Sequence, residues 1–471
     1  MATASTLGEL NGGGALAAPY DEAFASPGQP RPHYEALIAA IESAGPAELD
    51  ERVTASATAA GVGFAGGEFR LDPVPRLLTA AEWETVSAAA RQRARALDSF
   101  LADAYGERRI VTAGIVPERV ISGAEHHEPL MRGVEVAPGA WASVVGLDLI
   151  REPGGGFLVL EDNARSPSGT GFAVAARHAL AALGLPGVPL GSPSEAFAAL
   201  AEALRAAAPG GGGDPSMAIL SEGPQSAAFY EHELLARELE IPLVTPTELE
   251  TSGGRLRARL GARTRQIDVI YRRIEEERLS APDGSPTALG SLLAEPLRAG
   301  RLACVNAFGS GLADDKLTHA YIEKAIGFYL GEEPVIRSVP TFDLGDHQQL
   351  AESLARLEEL VVKPRAGLGG GGVLIGPLAG TEALADARRR IKAEPEAYVA
   401  QETISLSTHP SAVGDGLAAR RVDLRPFAII AGDRVSAPAS ALTRYARGAG
   451  EMIVNSSHGG GAKDTWVLAA S

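Results

Sequence analysis

The sequence predicts a mixed α+β / α/β protein, with a small α/β domain and an N-terminal helical segment. Three observations predict it. Thr79-Ala-Ala-Glu82 is a capping box, and after it Trp83, Val86, Ala90, Ala94, Leu97, Leu101 and Tyr105 recur at spacings of three and four, the single apolar stripe of a long helix. "GLDLI" and "FLVLEDN" flank the turn signal "EPGGG" between Gly146 and Asn163, as the arms of a β-hairpin do. "MAILSEG", "SAAFYEHELLARELE" and "IPLVTPTEL" then read as strand, helix, strand, a βαβ unit with parallel pairing.

At 471 residues the chain exceeds one core's worth, and two or three domains are expected. Residues 1–30, rich in Gly, Ala, Ser and Pro, read as a mobile or surface-wrapped tail. A helical pattern runs from His33 to Leu49, ahead of the stronger helix after Thr79. Arg91, Arg93 and Arg95 in "ARQRARAL" read as that helix's solvated face. Residues 31–190 thus combine a helical segment with the hairpin. "AAAPGGGGDPS" (Ala206–Ser216) is a linker by composition, and "IDVIYRRI" is a further strand of the small α/β domain at 191–300. The last unit, 301–471, alternates helices with short β runs.

Composition excludes several classes. A net charge of −16 opposes a nucleic-acid or anionic-membrane partner, either of which requires a basic face. The lone Cys304 leaves no intramolecular disulfide and no cysteine-built metal cluster. No run reaches the roughly 18 apolar residues of a membrane span. "MATASTLGELNGGG" has neither the basic nor the apolar region of a signal peptide, so a cytoplasmic protein is expected.

"VVKPRAGLGGGGVLIG" (Val361–Gly376) contains Gly367-x-Gly369-x-x-Gly372, a literal dinucleotide fingerprint. That fingerprint needs a helix after it. Here "VLIG" and a proline follow, so the glycines join strand to strand as a flap, with Lys363 on the incoming strand. Backbone N–H groups free of Cβ bulk can wrap phosphate oxygens, and a lysine supplies a point charge.

The hairpin carries an unusual donor set. Alternation places Glu161 and Asn163 on one face, and a tight hairpin brings Asp148 roughly opposite them. Two carboxylates and an amide oxygen are hard ligands suited to Mg²⁺, which commonly bridges nucleotide phosphates. With the glycine flap and its lysine they compose an ATP·Mg site.

These residues resemble the ATP-grasp ligases. Asp148 followed by Glu161-Asp-Asn163 is similar to their metal hairpin, "VVKPRAGLGGGGVLIG" to their lysine strand and phosphate flap, and "DDKLTHAYI" to the helix bearing a second nucleotide lysine, here Lys316. "VAQETI" resembles the hinge that meets adenine, with Glu402 nearby. "RRVDLRPFAII", "SALTRYA" and "IVNSSHGGG" resemble a series that maps onto Asp423, Arg425, Arg444, Asn455 and Gly459–Gly461. The hairpin precedes the flap, the reverse of the ordinary order. That order, with "YDEAF", "PRPHYEAL", "LDPVPRLLTAAEWETV" and "VNAFGSGLADDK", is similar to the circularly permuted ATP-grasp family related to glutathionylspermidine synthase.

The resemblance implies a circularly permuted ATP-grasp fold, its metal-binding half within 31–190 and its lysine and flap half at 301–471. It implies Mg²⁺ on Asp148, Glu161 and Asn163, and ATP held by Lys316, Lys363, Gly369, Gly370, Gly371, Gly372, Glu402 and Asn455. The hairpin and the flap would close over one nucleotide. Arg425 would stabilise the transferring phosphoryl group, with Arg444 and Arg165 as carboxylate clamps. The implied reaction joins a small-molecule or peptide carboxylate to an amine through an acylphosphate, releasing ADP and phosphate. A phosphotransferase on the same site and a catalytically inactive nucleotide-binding partner are the alternatives. One departure stands out: the residue between Glu161 and Asn163 is acidic, and "ARSPSG" follows, so Arg165 and Ser168 are candidates for substrate contacts. His126 and His127 lack a third spaced ligand and read as a surface turn, Glu275–Glu277 as a solvated face, and Arg272 or Arg273 as candidates to enter the cleft.

Overall fold

The computed structural model describes residues 17–210, 213–274, 278–367, 371–452, 454 and 460–469. Helices α1 (Glu35–Ala44) and α2 (Pro46–Ala59) divide the stretch read as one helix from His33. Gly45, at φ +86°, closes the first, and Pro46 opens the second. The stretch read as a tail is anchored from Asp21 onward. Glu22 is buried and accepts hydrogen bonds from Arg76 Nη2 at 2.6 Å and Ser407 Oγ at 2.6 Å.

Strand β1 (Leu71–Leu78) leads into the capping box, where Thr79 N donates to Glu82 Oε2 at 2.8 Å and Glu82 N to Thr79 Oγ1 at 3.2 Å. The box starts α3 (Ala80–Tyr105), which buries the apolar stripe read from its spacing. Its arginines do not share one solvated face. Arg95 pairs with Glu332 at the surface, but Arg93 is 1% exposed and held in the interior.

The hairpin forms as expected, from β2 (Val144–Arg151) and β3 (Phe157–Asn163), with Asp148 opposite Glu161 and Gly146 opposite Asn163. The register shifts between Asp148 and Leu149, leaving Leu160 as an extra residue on β3. This bulge breaks strict alternation, so Leu160 and Glu161 both reach the same cleft.

Helices α4 (Thr170–Ala181) and α5 (Glu195–Ala206) follow. The expected βαβ unit is β4 (Met217–Ser221), α6 (Phe229–Glu238) and β5 (Leu243–Val244), with parallel strands. Strands β6 (Val269–Arg273) and β7 (Ala303–Val305) extend this sheet in the order β7-β6-β4-β5. After it come α7 (Lys316–Leu330), β8 (Thr341–Asp343), β9 (Leu360–Pro364), β10 (Leu374–Ile375) and β11 (Tyr398–Glu402). The four strands make an antiparallel sheet ordered β8-β11-β9-β10, in which the glycine loop joins β9 to β10 strand to strand.

The chain ends with β12 (Thr408–Val413), the long β13 (Gly416–Ala431), β14 (Arg434–Ser436), β15 (Ala441–Tyr445) and β16 (Gly461–Val467). They join the early strands in one sheet ordered β1-β16-β15-β13-β2-β3, with β12 and β14 also pairing β13. Late strands therefore lie beside early ones: Leu424 of β13 faces Leu149 of β2. Strand β3 is the outer edge. Side chains of α3 and α7 share one apolar core with β2 and β13, while α1, α2 and α4 share another with β1 and β16. Among the described residues no helix is long and apolar enough to cross a membrane.

A buried carboxylate ties the small parallel sheet to the hairpin's exit. Glu231 of α6 accepts from Ser168 Oγ at 2.6 Å, Gly169 N at 2.9 Å, Gly171 N at 2.8 Å and Arg273 Nη2 at 2.8 Å. Removing one partner of such a pair strands the other charge in the interior, at a cost of about 3–5 kcal/mol. Glu231→Ala should lose stability on that scale in urea unfolding, well beyond a surface Glu→Ala control.

Candidate active site

Between the edge of the large sheet and the four-stranded sheet lies a cleft. Asp148, Glu161, Asn163, Asp423, Arg425 and Arg444 line it from one side; Lys316, Lys363, Gly367 and Gly371 line it from the other. One end is apolar, walled by Ile150, Leu160, Val361, Ile375, Ile404 and Leu406, with Gln401 and Glu402 beside it. The structure thus brings together most of the residues singled out from sequence. Gly372 lies next to the cleft at φ +73°, and a Cβ there would sit 2.9 Å from Pro364 Cγ, so the turn requires glycine. Gly369, Gly370 and Asn455 lie outside the described residues.

Other candidates sit elsewhere. Arg165 is not among the lining residues; its Nη1 meets His126 Nε2 at 3.2 Å and its Nε lies 3.9 Å from Asp314. Ser168 donates its hydroxyl to Glu231. Arg272 donates to the carbonyls of Asn306, Arg165 and Ala307, and Arg273 to Pro167 O and Glu231, so neither enters the cleft. His126 is pushed down to about 4 by burial and by the charge of Arg165, and His127 stacks on Tyr105. Glu275–Glu277 lie outside the described residues.

Asp148 is the electrostatic centre of the polar wall. It accepts from Arg425 Nε at 2.6 Å and Nη2 at 2.8 Å, and from Arg444 Nη2 at 2.8 Å. Burial alone would raise its pKa, but the two guanidiniums outweigh burial and hold the carboxyl below the ordinary carboxylate range. Arg444 also donates Nε to Asp423 at 3.0 Å; burial opposes its charge, and the two carboxylates more than offset that. Asp423, with one arginine fork instead of two, is pushed upward by burial.

Lys363 is the opposite case. It is 9% exposed, and among the described residues its ammonium has no hydrogen-bond or ion-pair partner. Burial lowers its pKa, with Glu161 opposing and Lys316 adding to the shift. Lys316 Nζ donates to Gly367 O at 2.7 Å and lies 3.5 Å from Glu161 Oε1. A buried cation that no carboxylate contacts is costly, and an anionic ligand would offset that cost.

The donor set fits an oxygen-loving cation. An ionised carboxylate offers about four lone-pair sites, and the arginines take three of those on Asp148. Asn163 Nδ2 donates to Gly146 O at 3.4 Å, which leaves Oδ1 as an acceptor. Among the described residues no group of three or more His, Cys, Asp and Glu could hold a metal; the Asn163 amide oxygen is a further oxygen donor beside Asp148 and Glu161. Beside the apolar wall, Gln401 Nε2 donates to Thr341 Oγ1 at 2.9 Å and to Leu160 O at 3.3 Å, while Oε1 is buried with no partner among the described residues. Glu402 turns its carboxylate to Arg356 Nη2 at 2.9 Å.

Gln401 escaped the sequence reading because a glutamine in a hydrophobic strand carries no charge signal. The acid between the metal-type ligands also has a place. Asp162 faces away from the cleft and accepts from Arg93 Nε and Nη2, each at 2.8 Å, and lies 2.7 Å from His319 Nδ1.

Residues 75–446 match the family model described as circularly permuted ATP-grasp type 2, and the chain belongs to that family. It is 43% identical over 468 residues to a Frankia alni protein named "Putative glutamate--cysteine ligase 2-3", covering 95% of this chain and 54% of that one. A Frankia casuarinae protein named "Putative glutamate--cysteine ligase 2-2" is 43% identical over 469 residues, with 95% and 53% covered. "Uncharacterized protein sll0335" of Synechocystis sp. is 36% identical over 472 residues, with 96% and 97% covered. The chain spans about half the length of the two Frankia relatives.

The lowered pKa of Lys363 sets a pH test. An anion held by the ammonium would bind fully below the free protein's lysine pKa and lose affinity as pH rises through it. Because that pKa is lowered, tripolyphosphate binding should weaken at a lower pH than an ordinary lysine dictates. In calorimetry, Lys363→Met should bind about tenfold more weakly at neutral pH and lose this alkaline fall. An unchanged pH profile in the variant would assign the fall to another group.

Proposed function

We propose that the chain is an ATP-dependent carboxylate–amine ligase that works through an acylphosphate. The observation that carries this reading is the buried Lys363, without a hydrogen-bond or ion-pair partner among the described residues, sharing one cleft with Glu161, Asn163 and the arginine pair on Asp148. In this reading the apolar end and Gln401 take the base, and Lys316 and Lys363 neutralise the phosphates. Mg²⁺, held by Glu161, Asn163 and the remaining lone pair of Asp148, would supply charge neutralisation at the β- and γ-phosphates. The substrate carboxylate oxygen attacks the γ-phosphorus and ADP leaves. The amine nitrogen then attacks the acyl carbon, the C–O bond to phosphate breaks, and the amine gives up a proton as phosphate departs. Positioning and charge account for catalysis.

Arg425 has the donors for this role. A guanidinium carries five N–H bonds; three on Arg425 go to Asp148 and to Ser168 O. The other two can meet phosphoryl oxygens in the cleft. Arg444, whose Nη1 has no protein acceptor among the described residues, is the matching clamp for a substrate carboxylate. The acid and amine are small molecules or peptides, and the Frankia names make glutamate and cysteine the first pair to assay.

Removing a donor aimed at developing charge typically costs about 100- to 1000-fold in rate. Arg425→Ala should lose turnover on that scale yet bind ATP nearly normally, and Arg425→Lys should recover only part. With hydroxylamine and the acid substrate, the unsubstituted enzyme should form a hydroxamate. ADP release without hydroxamate would favour a phosphotransferase, and loss of ATP binding in Arg425→Ala would move that arginine to the nucleotide.

A further inference from the structure

Strand β3 is the edge of the large sheet, and the first turn of α7 contacts it through side chains. Adjacent residues of a strand point to opposite faces, so Glu161 turns into the cleft while Asp162 turns into the interior. Helix α7 meets both. Lys316, at its first position, lies 3.5 Å from Glu161 Oε1, and His319, one turn on, lies 2.7 Å from Asp162 Oδ2. Residues three apart on a helix share a face, so one stretch of α7 grips two consecutive residues of β3.

Arg93 of α3 completes the grip. Its Nε and Nη2 fork onto Asp162 at 2.8 Å each, and its Nη1 donates to Ser338 Oγ at 3.1 Å. The segment around Ser338 is itself bonded to β3: Val159 N donates to Arg337 O at 2.9 Å and Val339 N to Val159 O at 2.8 Å. Arg93, Asp162 and His319 are each under 5% exposed, and His319 Nε2 is buried without a partner among the described residues. A forked arginine is a rigid strut, since its planar donors fix both distance and angle. An ion pair here contributes little net stability over an apolar replacement of the same shape, which makes geometry its distinctive contribution.

We infer that Asp162 is a positioning residue: the buried Arg93–Asp162–His319 cluster sets the spacing between the metal-type ligands Glu161 and Asn163 on β3 and the phosphate lysine Lys316 on α7. This inference rests on the ATP·Mg reading of the cleft. It gives the acidic residue between Glu161 and Asn163 a task on the far side of the strand. It also gives α3, which contributes nothing to the cleft surface, a hold on the site.

The cluster should matter when metal and triphosphate must be held together, and little when the triphosphate binds alone. Partners that orient metal ligands typically change metal affinity by about 10- to 100-fold. The test is calorimetry of a non-hydrolysable ATP analogue with Mg²⁺ and, separately, with EDTA. His319→Leu fills the space and removes the bond to Asp162; His319→Asn places an amide N–H where Nδ1 stood. His319→Leu should lose about tenfold in the Mg²⁺ measurement, with the EDTA affinity and melting temperature near the parent's, and His319→Asn should recover most of the loss. Asp162→Asn should act in the same direction and more strongly. Parent-like Mg²⁺ affinity in folded His319→Leu overturns the inference. So does an equal loss in both measurements, or a collapse in melting temperature, for His319→Leu, either of which marks a general structural support. Asp162→Asn strands the buried charge of Arg93 and is expected to melt lower. If the unsubstituted protein binds no analogue under either condition, the ATP-site reading itself fails.

Discussion

A carboxylate as buried as Asp148 is tolerable only because two guanidiniums meet it, and those arrive from β13 and β15, 277 and 296 residues further along the chain. Burying the three charges separately would cost several kcal/mol per ion. The ion cluster is therefore satisfied only when the early hairpin and the late strands share one sheet. The ladder agrees: β13 lies between β15 and β2, with Leu424 opposite Leu149. Hydrogen-bond ladders depend on which strands are adjacent and not on which was synthesised first. A chain whose metal-type hairpin precedes its flap can thus assemble the same cleft, with the connecting loops absorbing the permutation.

Edge strand β3 has a double role. One face presents Glu161 and Asn163 to the cleft, and the other sends Asp162 to Arg93 and His319. An exposed sheet edge is a liability, because its unpaired groups invite foreign strands. Here Val159 exchanges backbone hydrogen bonds with Arg337 and Val339, and α7 packs alongside. The covering that protects the edge also carries Lys316, so protection of the edge and construction of the site are one arrangement.

What was legible in the sequence follows from the range of the interactions involved. The register of Asp148 with Glu161 could be read because a tight turn and strand alternation determine it locally. The glycine loop could be separated from a dinucleotide fold because the residues after it are strand-forming. Arg93 was misread because three arginines at alternate positions carry no mark of which one meets a partner 69 residues away. Arg165 looked like a clamp by its nearness to Asn163, but Asp314 accepts hydrogen bonds from the backbone N–H groups of Ala164 and Arg165, so the chain turns aside after the hairpin. The anchoring of Glu22 was invisible for the same reason: its partners are Arg76, Arg151 and Ser407. Local patterns reported the elements, and distant charges decided which side chains reach the cleft.

The charge count of the cleft departs from that of the whole protein. The chain carries a net charge of −16, yet the cleft lining sets four cations, Lys316, Lys363, Arg425 and Arg444, against four carboxylates, Asp148, Glu161, Glu402 and Asp423. With Glu402 paired to Arg356, the remaining positive excess is small, and Lys363 makes no hydrogen bond or ion pair among the described residues. A polyanion bearing several charges would overfill this excess and meet the acidic surroundings. In the proposed reading a divalent cation would neutralise part of it, and the oxygen donors proposed for that cation line the opposite side of the cleft from Lys363. Concentrated in a cleft with low-dielectric walls, even a small excess exerts a strong local field. On that reading, the cleft would favour an anion in company with its metal, which is how an acidic protein could hold a polyphosphate without a basic surface.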